Sequence, residues 1–327
     1  HGIHHWMPSV SPSLLLSTAT INLGNNMRML RSILLAAMGA VSALSCLSSH
    51  AATASTFAAT KYPIVLVHGF MGFKDILGVD YFYQVPDALR KNGAKVYVAA
   101  VSEVNSSPVR GEQLLQQMKQ WAAADGVKKF NLIGHSQGGP TSRYVAGVAP
   151  ELVASVTTMA GPTVMTDAQA AESNITAFVA NYASMVQFAG SFVAWISGHQ
   201  DLPQDASALN LKAELADMAK RFPAGLPASY CGQGANLVNG IYYFSATGQG
   251  VKTNGWDVSD LAMQQTSEPS DGAVIACAAH LGKVIRDDYP WNHIDEMNHV
   301  FSLIGKGAPD PVQFYLSQAN RLKLLGR

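Results

Sequence analysis

The pentapeptide Gly134-His135-Ser136-Gln137-Gly138 constrains this chain more than any other stretch, because of what stands on either side of it. Before it, Phe130–Ile133 is a short apolar run that reads as a buried strand. After it, Gly139 and Pro140 suit a first helical turn, and the pattern predicts a helix over Gly138–Val148. A G-x-S-x-G set between a strand and a helix is the pattern of a nucleophile elbow. In such an elbow a serine hydroxyl projects from a tight, strained bend, and the two glycines remove the Cβ crowding that the bend cannot accommodate.

The flanking segments extend the same pattern. Tyr62–Val67 and Val96–Val101 are apolar, β-branched runs that predict buried strands, and Val153–Met159 predicts another. Within Arg110–Ala124, Leu114, Leu115, Met118, Trp121 and Ala122 are spaced for one helix face. Strands alternating with helices imply an α/β fold, a mostly parallel sheet with helices on both faces. From Thr163 to about Gly225 the alternation stops. There Phe178–Ile196 is apolar at helical spacing, either core or a mobile lid over an active site. A strand over Ile241–Phe244 and a helix over Pro311–Leu325 follow.

At 48% hydrophobic and 13% charged residues, the chain lies well below the roughly 25% charge of ordinary soluble proteins, which excludes disorder and coiled coil. Lys plus Arg and Asp plus Glu number 22 each, so no basic field exists to bind nucleic acid. An apolar partner fits better. Near the start, the basic Met27-Arg28-Met29-Leu30-Arg31 precedes an apolar run over Ile33–Leu47 and then Ala52-Thr53-Ala54, the order of a secretory signal peptide spanning 27–54. Residues 1–26 read as an upstream segment without function, and 55–327 as a single domain with an insertion at about 163–225. An exported chain left with Cys231 and Cys277 is expected to join them in one disulfide.

A serine hydroxyl is a weak nucleophile unless a base lies within hydrogen-bond reach. In the strand–elbow–helix setting the chain order is serine, acid, histidine. His199 falls too early for that order. His280, His293 and His299 remain as bases, with Asp257, Asp260 and Asp271 upstream as acids, and spacing does not choose among them. Two backbone N–H donors are needed for an oxyanion. Gln137, the residue after the serine, supplies one candidate, and Phe70, in the Gly-rich turn after the first strand, supplies the other.

These residues sit in longer matching segments. They are KYPIVLVHGF at 61–70, ILGVDY at 76–81, VRGEQLLQQ at 109–117, NLIGHS at 131–136, SDG at 270–272, VIRD at 284–287, NHIDEMN at 292–298 and ANRLK at 319–323. In that order they resemble the Pseudomonas-type family I secreted bacterial true lipases, which are α/β-hydrolases with a helical lid. The resemblance runs from Lys61 to Leu325 and is loose over Asp167–Phe222. It implies an exported triacylglycerol lipase acting at the lipid–water interface, with Ser136 as nucleophile, Asp271 as acid and His293 as base. It puts Phe70 and Gln137 at the oxyanion positions, where the family often has Met and His. Cys231 and Cys277 match the family disulfide. Asp257 and Asp295 match the carboxylate ligands of one structural calcium ion, completed by the carbonyls of His299 and Leu303, the former position being commonly Gln. No organic cofactor is implied. A lipase-specific foldase during export and a monomeric enzyme are. Two other readings are a hydrolase of soluble or polymeric esters and a lipid-binding protein that has kept the fold without its chemistry.

Overall fold

Strand β1 (Ile64–Val67) is buried at every position, as a strand covered on both faces must be. Its residues alternate between two cores. Ile64 and Leu66 pack with Phe82, Leu89 and Tyr315, while Val65 and Val67 pack with Leu114, Met118 and Val145. The computed structural model that shows this describes residues 55–70, 72, 74–76, 79–164, 202 and 211–327. The upstream segment 1–26, the signal segment 27–54 and the apolar run 178–196 lie outside the described residues, so of the expected insertion only the two ends are seen.

After β1 come a small antiparallel pair, β2 (Asp75–Ile76) and β3 (Val79–Asp80), then α1 (Val85–Lys91) and β4 (Val96–Val98). Next are α2 (Ser107–Asp125), β5 (Phe130–His135), α3 (Gly138–Val148) and β6 (Val153–Met159). The remaining elements are α4 (Leu211–Arg221), β7 (Leu237–Val238), β8 (Ile241–Gly248), β9 (Lys283–Tyr289) and α5 (Pro311–Leu324). The sheet runs β4-β1-β5-β6-β8, with β7 and β9 both pairing with β8. Every pairing in it is parallel except β7 with β8. Helices α1 and α5 cover one face; α2 and α3 cover the other. The chain leaves β1 in one direction to reach β4 and returns past it to β5. Carboxyl ends of strands at such a reversal form the crevice where open α/β sheets bind ligands.

One expectation is corrected and one strand was not expected. The strand expected over Val96–Val101 ends at Val98. Beyond it, side chains of α2 take the backbone bonds: Gln117 Oε1 accepts Ala100 N–H at 3.0 Å and Gln113 Oε1 accepts Ser102 N–H at 2.7 Å. Strand β9 escaped the sequence reading, because Lys-Val-Ile-Arg-Asp-Asp-Tyr is charged along an edge that faces solvent. The Cys231–Cys277 disulfide is present as expected and ties the segment before β7 to a short turn before β9. Among the described residues no helix is long and apolar enough to cross a membrane.

Candidate active site

The bend between β5 and α3 has the local geometry that the pentapeptide implied. Ser136 sits at φ +53°, the left-handed region that costs a non-glycine residue strain. A methyl group on Gly134 would lie 2.2 Å from Gly138 O, and one on Gly138 would lie 2.1 Å from Val67 O. Neither contact is possible, so both positions accept glycine alone. The turn after β1 comes equally close, since a methyl on Gly69 would meet Ser136 Cβ at 2.7 Å. The two Gly-rich turns therefore meet backbone to backbone at the serine.

The three candidate histidines separate cleanly. His280 bonds to Gly232 O and Asp287, at 2.9 Å each. His299 Nε2 bonds to Asp80 O at 2.8 Å. Only His293 meets one of the three candidate acids, its Nδ1 lying 2.7 Å from Asp271 Oδ2. Asp271 is fully buried, and its Oδ1 accepts the N–H groups of Ala273 at 2.9 Å and Val274 at 2.7 Å. Its backbone carbonyl accepts His293 N–H at 2.9 Å, which fixes the two residues doubly. The His293 ring stands 4.6 Å, centroid to centroid, from the ring of His135, the residue before the serine. Asp260 is occupied elsewhere, accepting the N–H groups of Thr253 and Asn254 and the Asn292 amide.

Among the described residues no protein acceptor takes the backbone N–H of Phe70 or Gln137. Both stand on turns that Arg110 clamps together, a residue the sequence reading passed over as part of a helix. Its fully buried guanidinium donates to His68 O at 2.6 Å, to Gly69 O at 3.1 Å and to Gln137 Oε1. Burial pulls the guanidinium down to about 10, so it stays charged at neutral pH. Beside it, His68 Nε2 accepts Val101 N–H at 3.4 Å, leaving Nδ1 to donate to Gly69 O at 3.0 Å. Burial first, then Arg110, hold this imidazole down to about 3, in its neutral form.

A second set was also missed. Glu296, three residues after His293, is fully buried with Oε2 3.2 Å from His135 Nε2 and 3.9 Å from His293 Nδ1. Tyr81 OH completes the chain at 2.7 Å from His135 Nδ1. Burial, then Asp271, push the Glu296 carboxyl well above the usual carboxylate range; burial, then His293, hold His135 well below the usual histidine range. A buried, mutually neutral pair thus backs the His293–Asp271 couple. The spacing His293-x-x-Glu296 was the available signal, and only contact across the fold gives it meaning.

Among the described residues Asp257 Oδ2 and Asp295 Oδ1, both buried, have no hydrogen-bond partner. Burial, with Asp257 and Asp260 adding to it, pushes Asp295 up to about 7. Among the described residues no donor takes the carbonyl of His299 or Leu303. Buried, unmatched carboxylate oxygens are costly unless a cation joins them, and an all-oxygen donor set suits calcium. The residues fit the ion.

The family described as alpha/beta hydrolase fold matches residues 62–271. A protein of Vibrio cholerae serotype O1 named triacylglycerol lipase is 44% identical over 295 residues, covering 85% of this chain and 93% of its own. A triacylglycerol lipase of Pseudomonas fragi is 37% identical over 290 residues, covering 82% and 98% respectively. The crystal structure of Staphylococcus hyicus lipase shares the fold at a TM-score of 0.51 and 18% identity, over 81% of this chain and 96% of that one. The chain belongs to the α/β-hydrolase family and, within it, to the bacterial triacylglycerol lipases.

Proposed function

We propose that this chain hydrolyses the ester bonds of triacylglycerols by an acyl-enzyme mechanism, with Ser136 as nucleophile, His293 as base and Asp271 as the group that orients the base. The observation that carries the reading is the buried 2.7 Å His293–Asp271 pair, whose imidazole stands 4.6 Å from the ring of His135, the residue before the strained Ser136. Ser136 Oγ attacks the ester carbonyl while its proton passes to His293 Nε2. Asp271, acceptor to Nδ1–H, stabilises the imidazolium that forms. The N–H groups of Phe70 and Gln137 bind the developing oxyanion. Collapse of the tetrahedral intermediate breaks the ester C–O bond, and the leaving diacylglycerol oxygen takes the proton from His293. Water, deprotonated by the same imidazole, then cleaves the acyl-serine, releases the fatty acid and restores Ser136.

Asp257 and Asp295 would hold one calcium ion with the carbonyls of His299 and Leu303. The ion would supply positive charge to two buried carboxylates and fix the loop that carries His293, without touching substrate. No organic cofactor is needed. The protein is exported by way of its signal segment with help from a foldase and works outside the cell as a monomer; the disulfide supports an oxidising destination.

Rates on an emulsified long-chain triacylglycerol and on a dissolved short-chain ester test the reading. The expected result is activity that rises as the triacylglycerol passes its solubility limit. Ser136→Ala should abolish it while keeping the circular dichroism of the wild type. Hydrolysis confined to dissolved esters would make the chain a soluble-ester hydrolase instead.

A further inference from the structure

The segment Trp256–Leu261 buries its polar residues and exposes its apolar ones, the reverse of an ordinary surface turn. It belongs to the loop that leaves the carboxyl end of β8. Strands β5, β6, β8 and β9 run parallel, so this loop, the elbow at Ser136 and the turn bearing His293 emerge at one edge of the sheet. Side chains fix it there. Asp260 Oδ1 accepts the Asn292 amide at 2.8 Å, and Thr253 Oγ1 donates to Asp295 Oδ2 at 2.8 Å.

Asp257, Ser259 and Asp260 are buried, whereas Trp256 is 85% exposed, Val258 60% and Leu261 81%. Backbone geometry explains the split. Asp257 is extended, which puts its neighbours Trp256 and Val258 on the side opposite its own carboxylate. A 3-10 turn follows over Val258–Leu261, and three residues per turn set Leu261 in line with Val258. Three large apolar side chains therefore point outward from one short, fixed loop. Single exposed apolar residues are ordinary, but a group of them marks an interaction site.

We propose that Trp256, Val258 and Leu261 form a fixed docking surface for an oil–water interface, by which the enzyme settles with its catalytic edge toward the lipid. The choice of occupant rests on the triacylglycerol-hydrolase reading, because that substrate collects as a separate phase. Two observations favour lipid over a second copy of the chain. The patch offers a few hundred Å2, against the about 800 Å2 per partner that a stable protein–protein interface buries. From Gln249 to Gln264 the one exposed charge is Lys252, so no exposed acid of this loop repels a surface on which fatty acids accumulate. Tryptophan also suits such a boundary, its ring apolar and its indole N–H able to reach water.

The test uses full-length Ser136→Ala, which binds without consuming lipid, and triolein droplets coated with phosphatidylcholine. The double variant Trp256→Ser with Leu261→Ser should need at least tenfold more droplet surface for half-saturation. Trp256→Phe with Leu261→Met should stay within about threefold of the parent. With Ser136 restored, the first double variant should keep its kcat on a dissolved short-chain ester and lose apparent affinity, not kcat, on triolein. Brominated phosphatidylcholine in the coat should quench the fluorescence that Trp256→Phe lacks. Unchanged droplet binding by the first double variant, or no bromine quenching of Trp256, would overturn the proposal. So would a Trp256 already shielded from iodide in water, covered by another part of this chain, or a dimer in sedimentation that the same variant abolishes. Patch-dependent binding by a wild type that hydrolyses no triacylglycerol would leave the docking surface standing and remove the catalytic reading instead.

Discussion

A serine hydroxyl attacks an ester only when its proton has somewhere to go, so at the scale of single residues the decisive contact is His293 to Asp271. His293→Ala should lower kcat/KM roughly 10^4- to 10^6-fold, because nucleophile and base fail as a unit. His280→Ala should leave the rate within a few-fold and lower only stability, its bonds being to Gly232 O and Asp287. Ester hydrolysis by the two folded variants checks this; equal losses would refute the assignment of the base. His68 carries a prediction on pH. Its imidazole is held near 3 in the folded protein, below its ordinary unfolded value of about 6.5. The unfolded chain therefore binds the proton more tightly, and the stability that neutral His68 contributes is complete above pH 6.5 and declines as pH falls toward 3. Protonation would set Nε2–H against Val101 N–H and a second cation beside Arg110. The urea midpoint of His68→Asn, whose amide retains a donor near Nδ1, should fall less than that of the wild type between pH 6.5 and 4. Parallel curves would exclude His68 as a source of acid instability.

At the scale of elements, the strand–turn–helix unit is rigid because backbone packs on backbone. Gly134→Ala would drive a methyl into Gly138 O, and no side chain is there to move aside. The cost should be at least a few kcal/mol, comparable to severe overpacking, and the turn should lose its shape along with activity. Thermal unfolding and phosphonate labelling of Ser136 measure the two effects separately; a variant labelled at the wild-type rate would show that the turn does not need glycine. Most of these elements were legible. The buried strands β1, β5 and β6 announced themselves because central parallel strands are apolar throughout. β9 did not, since an edge strand carries charge, and β4 ended early because Gln113 and Gln117 compete for its backbone.

For the whole molecule, two long-range ties bear on the loops around His293. The Cys231–Cys277 bond closes a loop of separation 46, a constraint on the unfolded chain of about 4 kcal/mol in the loop-entropy account. Calcium is expected to be the second. An ion bound only by the folded state raises stability by mass action. Chelation should therefore lower Tm and slowly inactivate the enzyme, with rescue by calcium and not by magnesium, which demands a tighter octahedral shell. Asp257→Ala should start at the lower Tm and ignore chelator. A wild-type melting curve unmoved by chelator, once metal analysis confirms removal, would reject the site.

What the sequence determined by itself was the layered α/β architecture and the elbow at Ser136, because both rest on local facts: runs of buried residues of strand length, and glycines at fixed offsets in one turn. It narrowed the base to His280, His293 and His299 and went no further without a family resemblance, since partner choice depends on contacts between distant segments. Tertiary structure put Asp271, which the resemblance had named as the acid, against His293, and it alone set Glu296 and His135 behind them and brought Arg110 against the turn that holds Phe70. Those are short-range interactions between residues remote in the chain, 161 positions apart for His135 and Glu296. Hydrogen bonds and burial act over a few ångströms of space, and sequence spacing does not record that distance.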